Sequence, residues 1–147
     1  MNFYKHFIGD YSRDTGDLSI LEHGAYRLML DHFYGTSRPL PNDKKALYRM
    51  LRAETTAEKK AVDDVSFRFW RPLPENLPTL FFWLNLHTET DRQPLITIAT
   101  DWTEAGGLIN VRALGEIIKA QVQAEKNRRI ALDREQKRRQ ARNGGQE

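Results

Sequence analysis

The sequence predicts an α+β, winged-helix-like domain, with three helices plus a β-hairpin wing and a long basic C-terminal helix. Capped apolar patterns at helical spacing occur three times before residue 70, and alternating β-branched segments flank a glycine turn at 104–107. From Val111 an apolar helical pattern passes into a long polar stretch. We therefore predict a winged-helix-like domain over 1–118 and a basic helical extension over 119–147, partly disordered at its end.

The first predicted helix covers residues 19–34. Ser19 and Glu22 have the spacing of a capping box, in which each side chain bonds the other residue's backbone N–H. Apolar residues at helical spacing define the predicted inward face: Leu21, Ala25, Leu28, Met29 and Phe33, with Tyr26, Leu30 and Tyr34 as a second row. Because a glycine in mid-helix costs about 1 kcal/mol relative to alanine, we expect another part of the protein to pack closely against Gly24.

Residues 1–17 are predicted to be an extended or irregular lead-in. Its expected core anchors are Phe3, Tyr4, Phe7, Ile8 and Tyr11. His23 and His32 lie nine positions apart, which places them on opposite faces of the first helix at about 100° per residue. We expect no shared metal between them and no metal site. The minor alternative is a tertiary cluster of His6, Asp10 and Asp14 with Glu22 or His23.

A helix-turn-helix pair is predicted next. Asn42 or Asp43 caps the segment "KKALYRMLRA", and Thr55 with Glu58 forms a second capping box. Two helices joined by so short a turn fit helix-turn-helix geometry. In the third helix we expect buried Ala61, Val62, Val65 and Phe69, and exposed Lys59, Lys60, Asp63 and Asp64.

Strands are predicted after three prolines that begin at Pro72. The segment "TLFFWLNLH" (79–87) is short, apolar and aromatic, and "PLITIATDW" (94–102) alternates and is β-branched. "EAGG" supplies a turn, and "LINV" (108–111) returns as the second strand of a hairpin. Three helices followed by a hairpin is the element order of a winged helix.

Charge is distributed unevenly along the chain. The formal net charge is +3, but residues 119–142 hold nine basic and three acidic side chains and carry +6. With Glu147 set aside, residues 1–118 carry −2. Basic extensions on an acidic body usually contact nucleic acid or another polyanion. The alternative is a solvated helix end with no partner.

Several classes of function are disfavoured by composition and motifs. The chain has no cysteine, so it has neither disulfides nor thiolate metal ligands. It lacks a glycine-rich phosphate loop and a serine or cysteine nucleophile motif. Its first residues do not resemble a signal peptide, and no apolar run approaches the roughly 20 residues of a membrane span. We expect a cytoplasmic protein without a cofactor, enzymatic activity or membrane contact.

The N-terminal half resembles the YdaU-like family of phage and prophage proteins, a domain of unknown function. The resemblance covers about residues 2–70 and resumes more weakly at Asn110-x-Arg112 and Glu116-Ile117. It is carried by Tyr4-Lys5, Ile8-Gly9-Asp10-Tyr11, Asp14-Thr15, the run from Leu18 to Tyr26, Pro39-Leu40-Pro41 and Leu47-Tyr48-Arg49. The resemblance implies a winged-helix-like domain, often found at the N-terminus of phage replication-initiation proteins, and implies no catalytic residue.

The functional hypothesis is a phage or prophage DNA-binding protein that is an accessory factor in replication initiation. The candidate phosphate contacts are Lys59, Lys60, Arg68, Lys126, Arg128, Arg129, Arg134, Lys137, Arg138, Arg139 and Arg142. The alternative is a protein-binding module, such as a replisome adaptor or an inhibitor of a host or defence complex. Its candidate contacts are Phe81, Phe82 and Trp83. The sequence does not indicate an oligomeric state.

Overall fold

The structure, a computed structural model, describes residues 3–102 and 107–145. Its described part is mostly helical, with one small antiparallel sheet, which is compatible with the α+β class. The elements in chain order are α1 (Ile8–Thr15), α2 (Ile20–Thr36), α3 (Lys44–Leu51), α4 (Thr56–Phe69), β1 (Arg71–Pro72), α5 (Leu77–Trp83), α6 (Glu89–Ala99), β2 (Leu108–Ile109) and α7 (Val111–Gly144).

The predicted helix caps of α2 and α3 are confirmed, and the predicted capping box of α4 is confirmed in part. Ser19 and Glu22 form the complete capping box of α2. Asp43 accepts from the backbone N–H of Ala46 at the start of α3, and Thr55 accepts from the backbone N–H of Glu58 at the start of α4. The Glu58 carboxylate accepts from the backbone N–H of Glu54 at 3.2 Å and not from that of Thr55, so the second capping box is incomplete. Each N-cap side chain satisfies a backbone donor that the first helical turn leaves without a partner. Local sequence therefore sets where these three helices begin.

The core lies where α2 packs against α4 and the first turns of α7. Phe33 and Met29 of α2, Val65 of α4 and Leu114 of α7 are fully buried. The ring of Trp70 meets Phe33 edge to face, with ring centroids 5.4 Å apart. In α4, Ala61, Val62 and Val65 are buried as predicted, whereas Phe69 is only partly buried.

The inward face of α2 differs in part from its prediction. Leu21 and Leu28 are exposed, and the second predicted row of Tyr26, Leu30 and Tyr34 is buried instead. Gly24 is also exposed, and a Cβ built on it meets no atom within 4 Å. The expectation of close packing at Gly24 is therefore wrong. The face rotates because α4 and α7 approach α2 from the tyrosine side.

The N-terminal segment is irregular over residues 3–7, as predicted, and then forms α1, which was not predicted. α1 buries only Thr15, while Tyr4 and Tyr11 are partly buried. The other three predicted core anchors, Phe3, Phe7 and Ile8, are exposed. Ion pairs of Asp10 and Asp14 with Arg112 hold α1 to the start of α7.

The hairpin predicted over 94–111 is wrong. Residues 79–87 fall mainly in α5, where Asn76 caps the helix and Pro78 lies in its first turn, a position where proline is well tolerated. Residues 94–102 fall mainly in α6, where Thr88 is the cap and Leu95 and Ile98 are buried at helical spacing. The predicted turn at 104–107 lies outside the described residues except for Gly107.

The sheet pairs segments that are distant in sequence. Arg71 is opposite Ile109 and Pro72 is opposite Leu108, and Leu40 bridges the other side of Leu108. Leu40 and Leu108 exchange both backbone hydrogen bonds, at 2.9 and 2.7 Å. β2 therefore has a backbone partner on each side. In the sequence, α5 and α6 lie between β1 and β2.

Asn110 links the sheet to the helical core. It is 4% exposed, and its Oδ1 accepts from the backbone N–H of Ala113 at 2.9 Å as the N-cap of α7. Its Nδ2 donates to the phenolic oxygen of Tyr26 at 3.3 Å and to the carbonyl of Phe69 at 3.1 Å. One side chain thus fixes the start of α7 against both α2 and α4.

Candidate nucleic-acid interface

The basic C-terminal segment is the outer part of α7. Ala113, Leu114, Ile117 and Ile118 of α7 are buried, and the last partly buried apolar residue is Val122. Every residue in the range 126–145 is exposed. With a rise of about 1.5 Å per residue, this part of α7 extends about 30 Å past the body. The single helix therefore crosses the boundary predicted at residue 118 without a break.

Some of the basic side chains of this extension are paired within the helix. Arg128 and Arg129 both contact Glu125, at 3.0 and 3.4 Å, and Arg139 contacts Glu135 at 2.6 Å. The hydrogen bond from Arg128, ahead of the contact with Arg129, lowers the pKa of the Glu125 carboxyl. In the described chain, five cations of the extension have no carboxylate within 4 Å: Lys126, Arg134, Lys137, Arg138 and Arg142.

The unpaired cations share one side of the helix. At about 100° per residue, the five lie within an arc of roughly 160°, and they extend over about 24 Å of helix axis. The rest of the circumference carries the three acidic residues: Glu125 lies opposite the middle of the arc, and Asp133 and Glu135 lie about 20° outside its two ends. The paired arginines also lie on this part of the circumference. We call the side with the five unpaired cations the cationic face. It presents positive charge without an intervening carboxylate.

The cations predicted on the third helix are all occupied by other residues. Lys60 binds Asp64 at 2.7 Å, and that hydrogen bond raises the pKa of Lys60. Lys59 lies over the ring of Tyr48 at 5.7 Å. Arg68 donates to Asp17 at 2.9 Å, which lowers the pKa of the Asp17 carboxyl. Among the described residues, none of these three side chains contacts a cation of the cationic face.

An open groove of about 890 Å³ lies beside the C-terminal end of α4. It is bounded by the end of α1, the loop before α3, the outer side of α4, and the sheet with the start of α7. Phe67, Arg71, Asp63, Asp14 and Arg112 are among its lining residues. Trp70 also lines it, and the buried indole N–H of Trp70 has no acceptor within the described ranges. Sequence reasoning did not anticipate this groove, because distant segments build it.

The predicted aromatic contact segment is mostly packed. Phe81 and Trp83 are partly buried, with Arg92 over the ring of Phe81 at 4.9 Å and Arg71 over the ring of Trp83 at 4.2 Å. Phe82 alone of the three is exposed, at 78%. A second aromatic residue, Phe67 of α4, is 93% exposed. The sequence indicates this exposure through spacing alone: Phe67 lies seven positions after Lys60, which places both residues on the outer face of α4.

Tyrosine rings from the N-terminal segment pack against aromatic side chains of α2 in separate pairs. Tyr11 bonds Nδ1 of His23 at 2.8 Å and stacks on Tyr26 with centroids 5.9 Å apart. Tyr4 stacks on Tyr34 at 4.1 Å, and burial, followed by the charge of Glu116, raises the pKa of Tyr34 to about 12. His23 thus makes a local pair. Within the part of the chain that the structure describes, no three histidine or carboxylate side chains converge to hold a metal ion.

These features define a small helical domain with a two-stranded sheet and a basic helical arm. Residues 2–76 match the family model described as "Protein of unknown function (DUF1376)", so the chain belongs to this YdaU-like family. It is similar to the protein named "Uncharacterized protein YdaU" from Escherichia coli (strain K12), with 29% identity over 126 residues. That match covers 84% of this chain and 40% of the relative, so it spans less than half of the relative's length. No solved structure matches the chain.

None of the helices within residues 3–102 and 107–145 is both long enough and apolar enough to cross a membrane. The longest, α7, has 34 residues and is strongly polar beyond Val122.

Proposed function

We propose that this chain is a DNA-binding protein that uses the cationic face of α7 to contact phosphates. The observation that carries the proposal is the distribution of charge around the helix: five unpaired cations lie within one arc, and none of the three carboxylates lies inside that arc. DNA attracts such a face because neutralising phosphates releases condensed counterions. The role that fits best is that of a non-enzymatic accessory factor in phage or prophage replication.

As part of this proposal, the domain is a variant of the winged helix. α2, α3 and α4 follow one another as the predicted three helices, and α4 leads directly into β1. α5 and α6 stand between the two strands, so any wing is built differently from the predicted hairpin. Because Lys60 and Arg68 are already paired with carboxylates, we expect α4 to contribute less to phosphate contact than α7.

The proposal is tested by duplex affinity across a salt series for the full chain and for a chain cut after Ala124. If the five unpaired cations each meet a phosphate, log K should fall with log salt at a slope of about −4.5. The cut chain keeps every buried residue of α7, so it should stay folded and lose most of its affinity and salt dependence. Unchanged binding by the cut chain would contradict the proposal.

The alternative, a protein-binding module, is favoured by the exposure of Phe82. Exposed aromatic residues are enriched at protein interfaces. A single exposed phenyl ring is also common on surfaces that bind nothing. If the full chain binds no duplex at low salt, and Phe82→Ala abolishes binding to a purified protein partner, the alternative becomes the better account.

A further inference from the structure

Phe67 occupies an unusual position for a large apolar side chain. It lies near the end of α4 and is 93% exposed, although the inward face of the same helix is filled by Val65 and neighbouring residues. It also lines the groove of about 890 Å³, a size in the range of ligand-binding clefts. Neither the core nor the cationic face of α7 accounts for it.

The acidic residues of the groove are compensated by neighbours. Asp14 binds Arg112 at 3.1 Å, and Asp63 lies 3.6 Å from Lys44. Asp63 also accepts from the hydroxyl of Tyr48 at 2.5 Å. A third carboxylate, Asp43, caps α3, where the helix dipole favours negative charge. The carboxylates of the groove are thus all engaged.

Arg71 differs from the other cations of the groove. It has no carboxylate within 4 Å among residues 3–102 and 107–145, and its guanidinium lies 4.2 Å from the ring centroid of Trp83. Stacking on an indole holds a guanidinium in place and leaves its N–H donors available to an anion. The uncompensated charge of the groove is therefore positive, and it is close in sequence to the exposed phenyl ring of Phe67.

An extended polypeptide is a poor match for the groove. Strand addition needs a free row of backbone donors and acceptors. β2 is paired on both sides, by β1 and by Leu40. The outward-facing residue of β1 is Pro72, which has no N–H. An anionic ligand with flat apolar faces fits better a groove that is lined by both an exposed phenyl ring and a guanidinium without a carboxylate partner.

We propose that Phe67 and Arg71 form a site for single-stranded DNA, in which a base stacks on Phe67 and an adjacent phosphate binds Arg71. The proposal rests on the proposed DNA-binding function and names the form of DNA that the groove takes. Proteins that hold single strands combine aromatic stacking with cations that follow the backbone. A duplex keeps its bases stacked inside, so it cannot use Phe67 in this way.

The test is the affinity of the full chain for labelled oligo-dT and for a duplex of the same length, measured by fluorescence anisotropy. Phe67→Ala should lower oligo-dT affinity about tenfold, and Phe67→Trp should preserve it. Both should leave duplex affinity unchanged. Phe82→Ala is the matched control, because Phe82 is also exposed but does not line the groove. It should change neither affinity.

The outcomes separate this site from the function of α7. Unchanged oligo-dT affinity in Phe67→Ala would overturn the site, even if neutralising α7 abolishes duplex binding and so supports the proposed function. Loss of oligo-dT binding in Phe67→Ala, with α7 variants still binding duplex, would support the site and contradict the role of α7. If the full chain does not bind oligo-dT but forms a dimer that Phe67→Ala dissociates, the site is overturned. Phe67 would then serve the contact between two copies of this chain.

Discussion

The carboxamide of Asn110 reaches the phenolic oxygen of Tyr26 at 3.3 Å, joining residues that are 84 positions apart in the sequence. The same side chain caps α7 and bonds the last residue of α4. Because the cap sets the first turn of α7, this contact fixes where the basic arm leaves the body. The geometry of the candidate DNA contact therefore depends on a buried residue that carries no charge.

Asn110→Ala should destabilise the fold more than Tyr26→Phe, which removes the hydroxyl that Asn110 contacts. Asn110→Ala loses the helix cap and leaves two buried acceptors without their donor, so the free energy of unfolding should fall by about 2–3 kcal/mol. Tyr26→Phe removes one weak hydrogen bond and should cost about 0.5–1.5 kcal/mol. Urea unfolding followed by circular dichroism measures both. Equal losses would show that the cap and the Phe69 contact contribute little.

Gly24→Ala should stabilise the protein. Gly24 is exposed in the middle of α2, and a Cβ there meets no atom within 4 Å. Alanine should therefore raise the free energy of unfolding by about 0.5–1 kcal/mol through helix propensity. The matched control is Gly107→Ala, whose Cβ would overlap Pro39 and approach the carbonyl oxygen of Leu40 to 3.1 Å. Thermal unfolding should show a gain for the first variant and a loss for the second.

Stability should decline at alkaline pH in part through Tyr34. Burial raises the pKa of Tyr34 to about 12 in the folded chain, whereas an unfolded tyrosine ionises near pH 10. The protonated folded state is therefore favoured below pH 10, and this contribution is lost as pH rises toward 12. It is about 2–3 kcal/mol, because a pKa difference of one corresponds to about 1.4 kcal/mol. Tyr34→Phe should flatten the fall in unfolding free energy between about pH 10 and 12, and an unchanged slope would refute this assignment.

Local sequence predicts α2, α3 and α4 well, although it does not predict α1. Side-chain caps at Ser19, Asp43 and Thr55 are short-range signals, and they placed the starts of α2, α3 and α4 within a residue or two. The family resemblance, which lies in the N-terminal half, is confirmed. The burial of Tyr26 in place of Leu28 was not predictable, because which apolar row of a helix faces inward depends on the direction from which other helices approach.

The region from Pro72 to Trp102 was misassigned for a physical reason. A short apolar run has the same composition in a strand and in a buried helix, and prolines that end one helix also begin the next. Asn76 and Thr88 were the informative residues, since each caps a helix in the structure. The groove depends on tertiary contacts among at least four segments, so spacing alone does not indicate it.

Charge along the sequence predicts the basic segment but not the uneven distribution of its charges around the helix. Charge counting treats all basic residues of 119–142 alike. Once the segment is a continuous helix, angular position separates five unpaired cations, which lie within one arc, from the three carboxylates, which lie outside it. The division makes the proposed phosphate contact specific to named residues.

The most direct test compares two triple variants of the full chain that lose the same net charge. Arg134→Ala/Lys137→Ala/Arg138→Ala removes three of the five cations of the cationic face, whereas Arg128→Ala/Arg129→Ala/Arg139→Ala changes the side that holds Glu125 and Glu135. We predict that the first lowers duplex affinity about a hundredfold at roughly 0.1 M salt and reduces the salt slope by about 2.7, because three phosphate contacts are lost. The second should change affinity only a few-fold. Equal losses from both variants would show that only net charge matters and would contradict a defined cationic face.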